Sequence, residues 1–541
     1  MSDRSLSRDD QLAASRRLVE RLTSPACYPH PVDEIRVIET HISWVILTGP
    51  FAYKLKKPCR LDFLDYSTLA SRRHSCAEEV RVSGRFAPEL YVAAVPITGS
   101  IEVPRVAGDG PAIEWAVKLV QFDEADRLDA RFETGRLSAA DCRRLGAAIA
   151  EVEAGLAVAD PATPWGTADS VQAAVAINLR QIRIARPDAA EQVDRIAAWL
   201  ESRLASAAPL IERRRAAGRI RECHGDLHLA NLVLHAGRMT AFDAIEFSPA
   251  LRWIDVANDV AFLMMDLEAR GRPELAAEVR SAWMEAADDH GAAAVLRVYE
   301  VYRAVVRASV RALQDSADPS LRAETDRYLE VAERLMRPVR PVLVVTSGVS
   351  GSGKSTLAAR LIGPLTAVCL RSDVERKRLA GLQPTERPAD VAAEARVYGE
   401  GMTRRVYERL ADVAAGLLDA GVGVVIDAAC NRRWQRDLLT AVAVRRGVPL
   451  TWLEFDPPEA DVLARVAARQ VAGTDASDAS PAVVRRQLRE REPLTADEVV
   501  AGGSGVGLIR PSTTDLLDPG FCHRVALAAH PSTTPTSENP A

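Results

Sequence analysis

The feature that most restricts how this chain can fold is the stretch GVSGSGKST, residues 348–356. It follows the apolar run VLVVTS and leads into the helical pattern STLAARLI. Glycines at a strand-to-helix turn let successive backbone N–H groups converge on one anion at the positive end of the helix. Such a turn needs a buried strand before it and a helix after it, so it predicts an α/β unit with a parallel sheet.

Three further apolar runs support this sheet: TAVCLRSD (366–373), GVGVVIDA (421–428) and LTWLEFD (450–456). Helical segments separate the runs, which is the pattern of repeated strand-helix-strand units. We therefore predict a P-loop α/β domain over residues 342–512. The preceding residues 336–341 contain two prolines, which break a helix, and we interpret them as a linker.

The chain in front of the linker predicts a different fold. At 541 residues the chain exceeds one hydrophobic core, since cores stop growing at roughly 250 to 300 residues. Residues 35–58 indicate two strands around Gly49-Pro50, one helix follows and ends near Gly84, and residues 101–121 indicate more strands. The predicted order is an N-terminal helical extension (1–24), an α+β N-lobe (25–124), a helical C-lobe with a strand-loop-strand insertion at 221–247 (125–335), the linker, the P-loop domain and a polar tail (513–541) with a disordered end.

The P-loop predicts a site for ATP and Mg²⁺. Lys354 is expected to span the β- and γ-phosphates, and the Ser355 hydroxyl to ligate Mg²⁺. Asp427, at the end of the run GVGVVID, is a candidate metal carboxylate because ligand crevices in open parallel sheets lie at the strand ends. The residues predicted to contact ATP here are Gly348, Ser350, Gly351, Ser352, Gly353, Lys354, Ser355 and Thr356.

Asp373 and Arg376 are the candidate catalytic residues of this domain. They stand one helical turn apart in RSDVER, so a base and an acceptor-binding guanidinium could share one side of the cleft. The alternative is that Asp373 only caps a helix and pairs with Arg376.

An arginine-rich segment follows and carries two interpretations. Arg465 and Arg469 stand at positions i and i+4, before a Gly/Asp/Ser turn and then Arg485, Arg486 and Arg489. The segment could close over the triphosphate and neutralise its charge, so that Arg465 and Arg469 would bind ATP. It could equally be a solvated helical hairpin.

A second candidate site lies in CHGDLHLANLVL, residues 223–234. Phosphoryl transfer needs a carboxylate to take the acceptor proton and oxygen ligands for Mg²⁺. Asp226 is the candidate base and Asn231 a candidate metal ligand, at the spacing of kinase catalytic loops. Asp243, after the run MTAF, is the second metal candidate, with Glu246 as a helper.

The lysine of this site is expected in AYKLKK, where Lys54 matches the A-x-K pattern better than Lys56 or Lys57. Its ion-pair partner should come from CAEEVR, in which Glu78 and Glu79 are both available and Glu79 is favoured.

The histidines of the second site have other interpretations. His224 and His228 could be core or capping residues. A metal site of Cys223, His224 and His228 is weakly supported, because H-x-x-x-H lacks an accompanying glutamate or second cluster.

Composition limits the classes of partner that the chain is expected to bind. A net charge of -5 disfavours capture of nucleic acid, so small phosphorylated molecules are the expected partners. The eight cysteines are scattered without a C-x-x-C pair, and no apolar stretch reaches the roughly 18 residues of a membrane helix. We expect a cytoplasmic protein with no membrane contact, and the sequence does not indicate an oligomeric state.

Residues 25–335, with HGDLHLAN and DAIEF, resemble the aminoglycoside phosphotransferase and choline kinase superfamily. The resemblance implies a protein-kinase-like, two-lobed α+β fold and an ATP-dependent O-phosphotransferase with its acceptor pocket in the helical lobe. The chain departs from the kinase pattern in one respect. No G-x-G-x-x-G precedes Lys54, only Gly49, which predicts a short phosphate-covering hairpin.

Residues 340–512 are similar to small P-loop kinases of the adenylate and gluconate kinase type, and the Asp-x-x-Arg spacing also resembles polynucleotide kinases and zeta-type toxins. This resemblance implies phosphorylation of a hydroxyl on a metabolite or a nucleic-acid end, with Asp373 as the base.

The whole chain resembles bacterial fusions of two unrelated kinase folds. The leading hypothesis is two ATP- and Mg²⁺-dependent phosphotransferases that act on hydroxyls of small molecules. The alternative is that only the P-loop domain is catalytic, on a metabolite or a nucleic-acid end, and the first domain is a ligand-binding regulatory module.

Overall fold

The computed structural model describes residues 8–61, 64–314, 318–472, 479–495, 497–498, 506–512, 514–515, 518 and 520–529, without the side chains of 8, 391 and 469–472. The chain divides into two compact units. The N-terminal unit comprises Met1–Ser138, Glu151–Asp266 and Val298–Ala332, and the P-loop unit comprises Ala139–Ala150, Leu267–Arg297 and Glu333–Ala541. Each unit therefore draws on separate stretches of the sequence.

The N-terminal unit begins with a helix and a six-stranded antiparallel sheet in the order β1-β2-β3-β8-β6-β7. The elements of this part are α1 (Arg8–Arg21), β1 (Arg36–Glu39), β2 (Ser43–Leu47), β3 (Phe51–Lys56), β4 (Arg60–Leu61), β5 (Leu64–Asp65), α2 (Leu69–Ser83), β6 (Tyr91–Gly99), β7 (Pro104–Val106) and β8 (Ala112–Val120).

Two expectations for this sheet need correction. Residues 35–58 form three strands rather than two, because Thr40 Oγ1 accepts the Ser43 N–H at 3.0 Å and closes a turn inside the first predicted strand. Strand β6 was not predicted. It contains Pro96 and has a register shift between Tyr91 and Ala93, features that weaken the alternating strand pattern.

Both faces of the sheet are covered. One face packs under α1, with Leu22, Trp44 and Ile46 in the buried cluster, and the other packs around Cys76 of α2. Helix α2 starts at a Thr68 cap, whose side chain accepts the Ser71 N–H, and ends before Gly84 as expected. The sheet therefore fixes the position of β3 and its lysines between two packed layers.

The following elements up to residue 336 are mainly helical, as predicted. They are α3 (Leu128–Glu133), α4 (Ala139–Ala154), α5 (Ala168–Ala185), α6 (Ala190–Ala216), β9 (Ile220–Glu222), β10 (Leu232–His235), β11 (Arg238–Ala241), α7 (Pro249–Arg252), β12 (Trp253–Asp255), α8 (Val256–Ala269), α9 (Pro273–Ala287), α10 (Ala293–Gln314) and α11 (Pro319–Met336). The insertion at 221–247 contains three strands rather than the expected strand-loop-strand: β10 and β11 form a hairpin, while β9 pairs with β12.

The P-loop unit contains a five-stranded parallel sheet in the order β14-β15-β13-β16-β17. Its elements after residue 342 are β13 (Leu343–Ser347), α12 (Lys354–Leu365), β14 (Val368–Arg371), α13 (Ser372–Leu379), α14 (Val391–Tyr398), α15 (Glu400–Asp419), β15 (Val424–Asp427), α16 (Arg433–Arg446), β16 (Leu450–Glu454), α17 (Glu459–Ala472), α18 (Pro481–Glu490), β17 (Val506–Ile509) and α19 (Phe521–Ala529).

The sequence did not predict two of these elements. Strand β17 is only four residues long, too short for a clear pattern. Helix α19 lies in the region interpreted as a tail, but Phe521, Cys522 and Val525 pack into the P-loop core. Residues 530–541, whose end was expected to be disordered, lie outside the described residues.

Helix α9 belongs to the P-loop unit although it lies before the predicted linker. Ala277 joins the core beside Leu361 of α12, and the Cys369 N–H of β14 donates to Ser281 Oγ at 3.0 Å. Strand β14 is an edge of the sheet, and unpaired edges invite further strands. Helix α9 thus covers that edge. Within the described part of the chain, no helix is long and apolar enough to cross a membrane.

Candidate active sites

The P-loop has a backbone that requires glycine. Gly348, Gly351 and Gly353 have φ angles of 142°, 85° and 102°, in the region that side chains disfavour. A Cβ on Gly348 would lie 2.6 Å from Phe455 O, and one on Gly351 would lie 2.6 Å from Val466 Cγ2. The loop is therefore packed from behind and leaves its other side for an anion.

Lys354 and Ser355 begin α12, the helix after the loop. The Lys354 side chain is largely buried and Nζ donates to Val349 O at 2.8 Å, while the Ser350 N–H donates to Gln487 Oε1 at 2.8 Å. Both Lys354 and the N–H of Ser350 thus donate hydrogen bonds to other residues of the chain.

Asp427 ends β15 beside the loop, opposite Arg371 of β14. Burial raises the pKa of the Asp427 carboxyl, while Lys354 and a hydrogen bond with Ser355 act in the opposite direction. The Ser355 hydroxyl and the Asp427 carboxylate are the oxygen donors that Mg²⁺ prefers. The structure therefore brings the two predicted metal ligands together.

A cleft of about 1140 Å³ opens from the loop. Asp373, Arg376 and Thr356 all line it. Asp373 lies in the first turn of α13, whose N-cap is Arg371, so the capping interpretation of Asp373 does not hold. Nor does Arg376 serve mainly as its partner, because its Nη1 donates to Val397 O at 3.1 Å and to Thr403 Oγ1 at 3.2 Å.

The arginine-rich segment contributes to the cleft only in part. Arg465 and Arg486 line it, whereas Arg485 lies on the surface, 4.0 Å from Glu459. The side chain of Arg469 lies outside the described residues. Of the two other predicted loop contacts, Gly348 lies behind the cleft, and Ser352 is buried with no partner for Oγ among the described residues.

Sequence reasoning missed much of the opposite wall. Arg371 lies two positions before Asp373 and could have been found from that position. The others come from four separate helices and the segment after β15, and no local signal joins them. The missed lining residues include Arg371, Tyr398, Arg404, Asn431, Arg432, Trp434 and Gln487.

In the N-terminal unit, the loop after β9 is held by a carboxylate beneath it. The His224 and Gly225 N–H groups each donate to Asp259 at 2.9 Å. His224 Nε2 lies 2.9 Å from Phe242 O and donates to it, while Nδ1 accepts the Asp226 N–H at 3.3 Å. Burial lowers the pKa of His224, so the ring is neutral and shapes the loop, as its core interpretation expects.

Asp226 sits at the surface of this loop with its side chain 36% exposed. Asn231 Nδ2 donates to Asp226 Oδ2 at 3.0 Å, and His228 Nε2 lies 3.4 Å from the same oxygen. Burial acts to raise the pKa of Asp226, but His228 and Arg307 outweigh it and hold the pKa below its ordinary value. The candidate base is therefore a carboxylate.

Lys54 connects this loop region to the sheet. Its Nζ donates to Glu79 Oε1 at 3.0 Å and also to Asp243. Asp243 has a φ of 62°, a strained conformation of the kind that concentrates at functional sites. Burial opposes ionisation of Asp243, but Lys54 outweighs it and lowers the pKa. The structure thus brings three predicted site residues into contact.

The neighbouring candidates have other partners. Lys56 is fully buried and donates to both Glu79 and Glu246, so Glu246 contacts Lys56 rather than Lys54. Glu78 pairs with Arg81 at 2.9 Å.

Side chains engage both turns near β3. At the Gly49 turn, the Thr48 and Gly49 N–H groups donate to Gln121 Oε1 at 3.1 and 3.0 Å. The turn between β1 and β2 contains no glycine, and Lys57 Nζ donates to Thr40 O at 2.5 Å. Neither turn resembles the glycine cradle of the P-loop, so this site consists mainly of side chains.

Other metal arrangements fit less well. Cys223 is buried against Ile254 O, and burial raises the pKa of its thiol. Asp288, His290 and Glu375 have ligand atoms within 4.8 Å of one another. Two arginines already neutralise those carboxylates, so this cluster is an ion-pair network: the pairs involve Asp288, Glu375, Arg378 and Arg409.

Two family models match separate parts of the chain. The model of the phosphotransferase enzyme family matches residues 66–296, and the model of an AAA domain matches residues 343–494. Uncharacterized proteins of Mycobacterium tuberculosis and Mycobacterium bovis are each 26% identical over 430 residues, covering 77% of this chain and 84% of theirs.

Solved structures with some likeness include two kinases. A choline/ethanolamine kinase family protein from Mesorhizobium loti is 14% identical, covers 60% of this chain and 95% of its own, and has a TM-score of 0.36. A sugar kinase from Janibacter is 23% identical, covers 35% and 92%, and has a TM-score of 0.26. These TM-scores are too low to carry an argument about function. The two family matches support a kinase-type enzyme in which a region similar to the phosphotransferase family precedes a P-loop region.

Proposed function

We propose that the chain transfers the γ-phosphoryl group of ATP, with Mg²⁺, to hydroxyl groups of small molecules in the cytoplasm, and that both units perform this reaction. The observation that carries the proposal is the P-loop cleft, where Lys354, Ser355, Asp427 and Asp373 line one cavity of about 1140 Å³.

The residues present fit ATP and Mg²⁺. The glycine cradle has no room for a Cβ on the packed side, and its open side meets the N-terminus of α12, where phosphate binds favourably. Ser355 and Asp427 would hold Mg²⁺, which when bound neutralises charge on the phosphates.

In the P-loop unit, Lys354 leaves Val349 O to contact the phosphates of ATP. Asp373 orients the acceptor hydroxyl and takes its proton as the hydroxyl oxygen bonds to the γ-phosphorus and the bond to ADP breaks. Arg465 and Arg486 line the same cleft and would offset the charge of the transferring group.

In the N-terminal unit, Asp226 plays the same part as the base. Asn231 and Asp243 would hold Mg²⁺, and Lys54, oriented by Glu79, would contact the phosphates. Asp226 is ionised and partly exposed, so it can accept a proton from an incoming hydroxyl.

One observation favours a second candidate function, in which the N-terminal unit binds a ligand but does not catalyse. Glu79 and Asp243 both hold Lys54, and Gln121 occupies the N–H groups of the Gly49 turn. A nucleotide would have to displace part of this network. The unit would then regulate a single kinase in the P-loop unit.

The test compares wild type with Lys354→Ala and Asp226→Asn. Each protein is incubated with Mg-ATP and a cytoplasmic metabolite extract, and mass spectrometry records which compounds gain a phosphoryl group. We expect two products, each lost in one variant, with losses of roughly 10²- to 10³-fold in rate. Products that depend on Lys354 but not on Asp226 would establish the second candidate instead. A product that still forms at the wild-type rate in both variants would contradict the proposal.

A further inference from the structure

The acceptor wall of the P-loop cleft carries a recognition site that the family matches do not assign. By the acceptor wall we mean Arg371, the cleft-lining residues of α13, α14, α15 and α16, and those of the segment between β15 and α16, which lie outside the P-loop and outside helices α17 and α18. The inference below rests on the proposed activity of the P-loop unit and concerns the chemistry of its acceptor.

A continuous series of contacts joins this wall to the candidate base. Arg376, one turn from Asp373, donates to Thr403 Oγ1 at 3.2 Å. The next residue, Arg404, places its guanidinium 4.7 Å from the centre of the Trp434 ring. Trp434 therefore fixes a guanidinium in the same wall as the base.

The platform under Arg404 is rigid. The Tyr407 ring meets Trp434 edge to face at 5.6 Å, and Tyr407 OH accepts the Cys430 N–H at 2.9 Å. A guanidinium stacked on an aromatic ring keeps its N–H donors in one plane and directed sideways. The platform thus orients Arg404 before any ligand arrives.

Most cations of the wall are already engaged, but Arg404 is not paired with a carboxylate among the described residues. Arg376 donates to protein oxygens, Arg432 pairs with Glu490 at 3.1 Å, and Arg371 lies 3.9 Å from Asp427. Only the ring of Trp434 contacts Arg404 in the interactions of the described chain. Its positive charge is therefore available to a ligand.

A second polar group of the wall lacks a partner. Asn431 lines the cleft with a relative exposure of 9%, and its Oδ1 accepts no hydrogen bond from the described residues. Its main-chain oxygen accepts the Glu492 N–H at 2.8 Å, which fixes its position. A buried carbonyl oxygen without a donor is unfavourable, and an acceptor hydroxyl would satisfy it.

We infer that the acceptor of the P-loop unit is a hydroxylated small molecule that carries an anionic group, either carboxylate or phosphate, held by Arg404. Asn431 accepts a hydrogen bond from one of its hydroxyls. A guanidinium forms strong, charge-assisted hydrogen bonds with both kinds of anion.

A cationic acceptor fits the wall less well. Glu394 and Glu400 also line it and, like Arg404, are exposed to solvent, but among the described residues neither glutamate is held against a ring as Arg404 is. The face of Trp434 that could receive an ammonium group is covered by Arg404. The wall thus offers a cation that is stacked on Trp434.

The experiment separates a bacterial metabolite extract by ion exchange into anionic, neutral and cationic pools. Each pool is incubated with radiolabelled ATP, Mg²⁺ and full-length protein, either wild type or Lys354→Ala. We expect label that depends on Lys354 to appear in products of the anionic pool. Pretreating that pool with a phosphatase distinguishes the two sources, since loss of the product identifies a phosphate and survival identifies a carboxylate.

Arg404→Gln then tests the residue, with Arg405→Gln as a matched control, since Arg405 is exposed and does not line the cleft. We expect Arg404→Gln to raise KM for the anionic acceptor roughly 10- to 100-fold with KM for ATP unchanged. The control should change neither value.

Three outcomes would overturn the inference. Lys354-dependent products from the neutral or cationic pool would show another acceptor class while leaving the kinase proposal intact. A rise in KM for ATP in Arg404→Gln would place Arg404 at the nucleotide. Absence of Lys354-dependent label in every pool would overturn the proposed activity of this unit and the inference together.

Discussion

The two candidate sites are built in opposite ways. Every predicted ATP contact in the P-loop itself lies within nine consecutive residues, whereas Lys54 and Asp243 of the N-terminal unit meet across 189 positions. The P-loop site depends on backbone geometry and glycine. The other depends on charged side chains that only the complete fold brings together, so the two sites should fail in different ways when they are altered.

The N-terminal site also contains buried charged side chains, which destabilise the fold unless they are paired. The side chains of Lys56 and Glu79 are fully buried, and Glu246 is nearly so. Buried charges are stable only when they are paired, because removal of one partner leaves the other without water or a counter-ion. The ion pairs therefore hold the fold as well as the site.

The largest effect is expected for Glu79→Gln, which removes the charge shared by Lys54 and Lys56. We expect the free energy of unfolding of the N-terminal unit to fall by about 3 to 5 kcal/mol. Hydrogen–deuterium exchange of peptides from β3 and α2 in the full-length protein measures it. Glu78→Gln is the control, since its partly exposed pair with Arg81 should cost at most about 1 kcal/mol. Equal effects of the two variants would remove the contrast between the sites.

The next effect concerns the backbone of the P-loop. Gly351→Ala places a Cβ against Val466 and Val462 at a φ of 85°. The left-handed backbone alone costs about 1 to 2 kcal/mol, and we expect the affinity of the P-loop unit for ATP to fall at least roughly 10-fold by calorimetry. Gly447→Ala is the control, since its φ is 60° and no atom lies within 4 Å of the added Cβ. If both variants bind ATP like wild type, the cradle does not depend on its glycine.

The smallest effect asks whether the P-loop unit also depends on buried ionisable groups. His290 is buried with no partner for either ring nitrogen among the described residues, and it faces Asp288, Glu375, Arg378 and Arg409. Burial lowers its pKa, so below pH of about 6.5 the unfolded chain takes up a proton before the folded chain does. The free energy of unfolding should therefore fall as pH decreases below about 6.5. Above that pH, His290 should cause no further change in it.

His290→Leu removes this proton uptake. We expect the free energy of unfolding of the variant to change less than that of wild type between about pH 7.5 and pH 5.5. The difference between the two slopes should be at most about 1.4 kcal/mol per pH unit. Urea denaturation of the full-length protein at each pH, followed by exchange in α13 peptides, measures it. A variant as sensitive to pH as wild type would exclude His290 as the source.

The sequence predicts a site of consecutive residues better than a site whose residues lie far apart in the chain. The P-loop and the strands on either side of it were predicted because their signals are local and hydrophobic. The pairing of Lys54 with Glu79 was proposed from the spacing of kinase motifs. The stack of Arg404 on Trp434 joins α15 to α16 across 30 positions, and neither residue belongs to a motif. Long-range side-chain contacts of that kind have no signature in one sequence.

The assignment of α9 shows a second limit. Nine of its residues are buried in the structure, including Glu278 and Arg280, so its charged residues do not mark a solvent-facing side. The burial pattern does not reveal what covers it. Its partners lie far along the chain, since Cys369 of β14 follows Ser281 of α9 by 88 positions.

The position of α9 limits where such a chain can be truncated or recombined. A cut in the segment 336–341 would leave the P-loop unit without the helix that covers its edge strand, held only by non-covalent packing. Recombination at that segment would likewise transfer an incomplete fold. The two units are therefore not separable at that segment, and changes in α9 fall on the core of the P-loop unit although they lie within the region matched by the phosphotransferase family.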